Sequence, residues 1–273
     1  MADVGGQRAL VTGASSGIGK AIAFELARKG ARVVIASRRF EVLETVVKEI
    51  KDTFPEAVIP LAIDSDVTNG KDVRKVIDLC TEHYGGVDIL INNAGIGVYG
   101  EFERTSLEDV LSMMEVNFFG PVRFILEVLP MMREAKKGRI VNISSVAAKY
   151  GVPYLGAYSA SKAALAALGQ SLQAELAGSG ISILTVYPGY TQTDFFKKEK
   201  NVGGAHRPDK PYTSPQKVAK AVVAGIESEK QELILSTEGK ALVVFQGFIP
   251  WIVRRGMERI ARQLRGEKGG PDG

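Results

Sequence analysis

From residue 8 onward, short β-branched runs alternate with longer helical patterns, and this alternation restricts the chain more than any other feature. The runs are Arg8–Thr12, Arg32–Ala36, Val58–Ile63, Asp88–Asn92, Arg139–Ser144, Ile181–Tyr187 and Glu232–Leu235. Helical patterns lie between them at Gly17–Lys29, Phe40–Lys51, Lys71–Tyr84, Leu107–Arg133, Tyr158–Leu176 and Pro215–Ser228. The runs are continuously apolar, as in strands covered on both faces. Strands alternating with helices imply right-handed crossovers and a doubly wound parallel sheet, here of about seven strands in a single α/β domain.

Composition narrows the classes. The 273 residues are 45% hydrophobic and 24% charged, as in a chain that buries a core. The only cysteine, Cys80, excludes an internal disulfide framework and a cysteine-built zinc site. With only His83 and His206 in the chain, no metal site is expected, and Cys80 itself reads as a small core residue. A net charge of +4 is mild and points to no nucleic-acid partner. The opening MADVGGQ lacks a positive segment followed by an apolar one, so no signal peptide is expected. No stretch offers the ~20 apolar residues of a membrane span. The longest candidate, Ala241 to Val253, is interrupted by Gln246, Gly247 and Pro250. The expected location is cytoplasmic.

The first strand runs into Thr12-Gly13-Ala14-Ser15-Ser16-Gly17-Ile18-Gly19, and a helix follows. Glycine permits the tight turn and lets backbone approach a pyrophosphate, while amides at the helix start face the phosphates. The spacing is G-x-x-x-G-x-G rather than G-x-G-x-x-G. A Rossmann-like dinucleotide site is the functional reading; a glycine-rich turn with no ligand is the bland one. The second strand ends at Ser37-Arg38-Arg39, where an NAD site usually places an acid for the ribose 2′-OH. A hydroxyl and arginine forks suit a 2′-phosphate instead, so Ser37 and Arg38 point to NADP(H).

Tyr158 and Lys162 stand four apart at the head of a helical pattern, hence on one face. A free tyrosine titrates near ~10, too high for acid–base work at neutral pH. A cation about 4 Å away contributes up to about 4 kcal/mol at an effective dielectric of about 20, with desolvation opposing it. In isolation such a pair is a surface helix pair. In combination it is not: the chain resembles the short-chain dehydrogenase/reductase family over about residues 6 to 237. The matching elements are TGASSGIG at 12–19, Asp66-Val67, NNAG at 92–95, Asn117, Ser144-Ser145, YSASK at 158–162 and Pro188-Gly189. The resemblance implies that Tyr158 is the catalytic acid–base, that Lys162 lowers its pKa and holds the nicotinamide ribose, and that Ser145 and Asn117 complete the catalytic set. It further implies cofactor contacts at Gly13, Ser15, Ser16, Gly17, Ile18, Gly19, Asp66, Val67, Asn93, Tyr158, Lys162 and Thr191.

Beyond these motifs the signals thin. Val146, Tyr150, Val152, Tyr154, Leu155, Pro188, Tyr190, Phe195 and Phe196 flank the catalytic segments and suit a small hydrophobic ketone or alcohol. Residues 190–215, rich in glycine, proline and charge, read as a lid within a catalytic unit 1–237. The remainder, 238–273, reads as a helical extension with a disordered end. There Ile249, Val253, Met257, Ile260 and Leu264 recur at helical spacing beside Arg254, Arg255, Arg259, Arg262, Arg265 and Lys268, six basic residues against Glu258 and Glu267. Such a basic amphipathic helix, with Phe248 and Trp251 next to it, suits either an anionic membrane surface or a subunit interface. It resembles the tails of lipid-, retinoid- or steroid-directed family members, and a homodimer or homotetramer is expected. A rival enzyme reading is a 3-oxoacyl-carrier-protein reductase docking an acidic partner on Lys136, Lys137 and Arg139. A non-catalytic dinucleotide-bound sensor or scaffold is the rival outside enzymes.

Overall fold

A computed structural model of the protein describes residues 3–193, 195, 200–202 and 213–264. Its main sheet has seven strands: β1 (Arg8–Thr12), β2 (Arg32–Ser37), β3 (Leu61–Asp64), β4 (Ile89–Asn92), β6 (Gly138–Ile143), β7 (Ile181–Tyr187) and β9 (Glu232–Ile234). All pair in parallel in the order β3-β2-β1-β4-β6-β7-β9. The expected doubly wound sheet is therefore present.

Alternate residues of each strand feed two separate cores, as the period of a pleated strand requires. On one side Val11, Ile35, Ile91 and Val186 pack with α1 (Gly17–Arg28), α2 (Phe40–Thr53) and α7 (Pro215–Glu227). On the other, Leu10, Val34, Leu90 and Ile183 pack with α3 (Gly70–Tyr84), α5 (Gly120–Ala135) and α6 (Gly156–Glu175). Cys80 lies in this second core, where burial pushes its thiol up to about 12, the inert state of a packing residue.

Three local expectations change. The third strand begins at Leu61 rather than Val58, and Val58 and Ile59 are exposed because β2 pairs only from Leu61 onward. The single long helix expected over 107–133 is two, α4 (Leu107–Met114) and α5, joined by a π-helical turn at Glu115–Phe119. Pro121 accounts for the break: it has no N–H for the carbonyl of Asn117, and its ring would crowd that carbonyl in a regular helix. Finally, β5 (Val98–Gly100) and β8 (Lys200–Val202) pair in a small separate sheet. Beyond β9, Ser236 caps α8 (Thr237–Phe248), and Pro250 opens α9 (Pro250–Leu264), where its missing N–H costs nothing.

The face assignment of α5 is testable by urea unfolding. Phe124 is fully buried and Leu126 is 64% exposed. Phe124→Ala should cost about 3–5 kcal/mol and Leu126→Ala within about 0.5 kcal/mol. Equal losses would mean that the helix is rotated from this placement.

Candidate active site

In this strand order the chain turns away from β1 in one direction to reach β2 and β3, then crosses to β4 on its other side. A crevice therefore opens at the carboxyl ends of β1 and β4, where doubly wound folds bind ligands. One hydroxyl ties those ends together. Thr12 Oγ1 donates to the Ile91 carbonyl at 3.2 Å and accepts from the amides of Asn93 and Ala94 at 3.0 and 3.1 Å. The Asn93 side-chain amide donates to the carbonyls of Thr12 and Gly13 at 2.9 and 3.2 Å, so it braces the glycine turn.

The turn itself is a cradle with no space for side chains. Gly13 and Gly17 have φ of +65° and +58°, and a Cβ at Gly19 would lie 2.3 Å from Asn93 Nδ2. Ser16 precedes α1 without capping it, which leaves the helix's first amides to an anion. These features fit a dinucleotide pyrophosphate. At the end of β2, Ser37, Arg38 and Arg39 border the same cavity. The Arg38 guanidinium is 3.7 Å from Asp66 and mostly exposed. Arg39, which sequence reasoning left out of the site, reaches back over the turn to donate to Ser15 and Ser16 hydroxyls at 2.7 and 3.0 Å. Its signal was present in the Arg38-Arg39 doublet, but spacing does not say which arginine turns inward. Burial works against the Asp66 carboxylate, yet two bonds from Thr68 and the Arg38 charge keep its pKa below the usual range. Val67 sits beside it against Gly120, and Thr191 is buried, bonding the Gly189 carbonyl at 3.1 Å.

The catalytic candidates converge at the other end of the cavity. Ser145 follows β6, and its Oγ accepts from the Ala147 amide at 3.1 Å, which fixes its direction. It lies close enough to Tyr158, in the first turns of α6, to lower the pKa of that phenol. One turn on, Lys162 is buried and donates to the Ile143 carbonyl at 2.9 Å. Asn117, fully buried in the π-helical turn, bonds both backbone groups of Ile96 at 2.9 Å and donates to Ser161 Oγ at 2.9 Å. Ser161 passes the restraint on, donating to the Tyr158 carbonyl at 2.8 Å. Ser161 was missed as a positioning residue because it stood unmarked inside YSASK. Gly95 was missed too: a Cβ there would be 3.2 Å from Asn117 Oδ1 and 3.3 Å from Lys162 Nζ.

Burial dominates the titration of this cluster. It pushes the Tyr158 phenol up to about 12, against the opposing influence of Ser145, and pulls the Lys162 ammonium down to about 8. The attraction argued from the Tyr158–Lys162 spacing is thus outweighed by desolvation.

Turn and catalytic cluster share one cavity of about 730 Å³, the size of a site for a cofactor with its substrate. Val146, Val152, Leu155, Pro188, Tyr190 and Phe195 line it as the sequence suggested, whereas Tyr150 and Tyr154 do not. Phe195 packs on Tyr158 with ring centroids 5.7 Å apart. Phe196, His206 and most of the expected lid lie outside the described residues, as do Arg265 and Lys268. Sequence reasoning did not anticipate that Leu242 of α8 and Met257, Ile260 and Leu264 of α9 would line the cavity as well.

The family model described as short chain dehydrogenase matches residues 7–202. An Arabidopsis thaliana protein named 11-beta-hydroxysteroid dehydrogenase-like 2 is 36% identical over 252 residues, covering 92% of this chain and 77% of that protein. An NADP-dependent 3-hydroxy acid dehydrogenase of Schizosaccharomyces pombe is 30% identical, covering 87% of this chain and 93% of its own. Among solved structures, a short-chain dehydrogenase from Streptomyces avermitilis superposes with a TM-score of 0.79 at 32% identity, covering 98% of this chain and all of that one.

The buried lysine gives a test with a defined sign. The unfolded chain holds this proton to about 10.5 and the folded one only to about 8, so unfolding takes up a proton between those values. Stability should therefore rise with pH across that window, by about 3 kcal/mol relative to Lys162→Met. Urea melts of both proteins at neutral pH and near the upper limit should diverge in that sense. Parallel pH profiles would mean that Lys162 is not titrated as its burial requires.

Proposed function

The chain belongs to the short-chain dehydrogenase/reductase family, and on that premise we propose that it interconverts a ketone and a secondary alcohol on a hydrophobic small substrate, using NADP(H). The observation that carries this reading is the placement of Tyr158, Ser145 and Lys162 in the same cavity as a glycine turn shaped for a pyrophosphate.

Bound NADPH would supply a hydride to the carbonyl carbon. As charge grows on the carbonyl oxygen, Ser145 and Tyr158 donate hydrogen bonds to it and Tyr158 delivers the proton. Burial keeps the proton on the phenol, so it is in place for that step, and the charge of the bound cofactor together with Lys162 would have to ease its release. Lys162 and the Asn117–Ser161 chain hold the Tyr158 backbone and the strand end in place. Arg38, with Ser37, would face the 2′-phosphate, and Arg39 lies where it would reinforce the same end. Support for NADP comes also from the Schizosaccharomyces pombe relative's name, and support for an apolar substrate from Tyr99, Leu155, Met257 and Ile260 along the cavity. The carrier-protein reading is less favoured, because Arg139 of its docking patch is already engaged by Ser182 at 2.7 Å and by Glu229. The oligomeric state and a cytoplasmic location remain part of this proposal.

Two measurements test it. Tyr158→Phe should bind NADPH as the wild type does while ketone reduction falls about 10²–10⁴-fold. Undiminished turnover would remove Tyr158 from the chemistry, and loss of cofactor binding would recast it as structural. By titration calorimetry, NADPH should bind more tightly than NADH, with a selective loss of about tenfold or more in Arg38→Ala. Equal affinities in the wild type would overturn the assignment of the 2′-phosphate site.

A further inference from the structure

The α8–α9 hairpin is apolar on two sides, and only one is used by the fold. Leu242, Met257, Ile260 and Leu264 face the cavity, so the stripe read from the sequence as meeting lipid or another subunit instead roofs the chain's own site. At the corner between the helices, on residues outside the cavity lining, a second apolar set is exposed. Phe248 is 84% exposed and Trp251 53%, with Val244, Phe245 and Ile252 beside them.

Around this corner cations predominate. Lys240, Arg254, Arg255, Arg259 and Arg262 are all exposed, against the single acid Glu258 over the same stretch, which lies 3.8 Å from Arg254. The Arg255 guanidinium lies over the Trp251 ring, 5.4 Å from its centroid. A two-fold interface centred here would set these cations against their own copies, and interface cores are depleted in charge. An anionic lipid surface answers both features at once: it accepts the aromatic tips at headgroup depth and neutralises the basic rim. No helix among the described residues is long and apolar enough to cross a membrane, so the contact is peripheral.

We propose that the α8–α9 corner docks on an anionic bilayer, inserting Phe248 and Trp251 and bringing the roof of the substrate cavity against lipid. The docking stands on this surface alone; its benefit, entry of an apolar substrate from the bilayer, rests on the function proposed above.

Trp251 is the only tryptophan of the chain, so its fluorescence reports the corner directly. Full-length protein is mixed with vesicles of phosphatidylcholine, with or without phosphatidylserine, and followed by emission and co-sedimentation. The expected result is a blue shift and co-sedimentation with the phosphatidylserine vesicles, weakened by salt. Phe248→Asp, at a side chain too exposed to matter for folding, should lower vesicle affinity about tenfold or more. Tyr158→Phe should bind vesicles as the wild type does, which separates this test from that of the catalytic reading. Absence of binding at low salt, or undiminished binding by Phe248→Asp, would overturn the proposal. So would a blue shift that grows with protein concentration without vesicles and disappears in Phe248→Asp, which would assign the corner to a second copy of the chain.

Discussion

Every feature of the cleft hangs from the bond network between the ends of β1 and β4. Two neighbouring parallel strands deliver their chains in opposite directions there, and the gap must be closed by something other than the ladder. Thr12 does it with one hydroxyl that serves three backbone groups, and Asn93 returns two bonds to the turn. Because Gly13 and Gly19 lie directly against Asn93, the turn is fixed to β4 as well as to its own strand. The glycine turn and the candidate catalytic cluster border one cavity, the arrangement that transfer between a bound cofactor and a substrate would require.

At the catalytic end the deciding quantity is desolvation. A cation and a phenol one helical turn apart attract, but both are buried, and burial moves each toward its neutral form. The fold counters this only in part: one carbonyl, that of Ile143, accepts from the lysine, and Ser145 favours the ionised phenol. The remainder of the arrangement is mechanical. Asn117, Ser161 and the backbone of Tyr158 form a relay of short bonds through the interior, and such chains specify geometry because a broken member leaves a buried polar group unsatisfied.

The sheet was legible because both of its faces are covered, so each buried strand reads as an unbroken apolar run whatever its neighbours. The same logic failed at Val58 and Ile59, which are β-branched yet lie before the pairing begins and are exposed. Motif order picked out the candidate catalytic residues, but not the groups that support them. The π-helical turn that carries Asn117 depends on Pro121, a signal visible in the sequence and overlooked because the apolar periodicity ran through it. Arg39 and Ser161 act through directions taken by side chains, and Gly95 through the approach of two side chains distant in sequence. No local pattern encodes any of these.

Helical spacing in α9 likewise identified an apolar stripe without saying what it meets. Periodicity fixes which residues share a face, and the number of apolar surfaces competing to cover that face is a property of the whole fold. Here the cavity is the nearest uncovered apolar surface, and it takes Met257, Ile260 and Leu264 because leaving both open to water would forfeit their burial. The corner residues gain nothing from the same move: they sit where α8 turns into α9, at Ile249 and Pro250, and no element of the described chain covers Phe248. An aromatic side chain left 84% exposed beside arginines carries a standing free-energy penalty in water. Among the described residues nothing relieves it, and the roof of the cavity is attached to that corner.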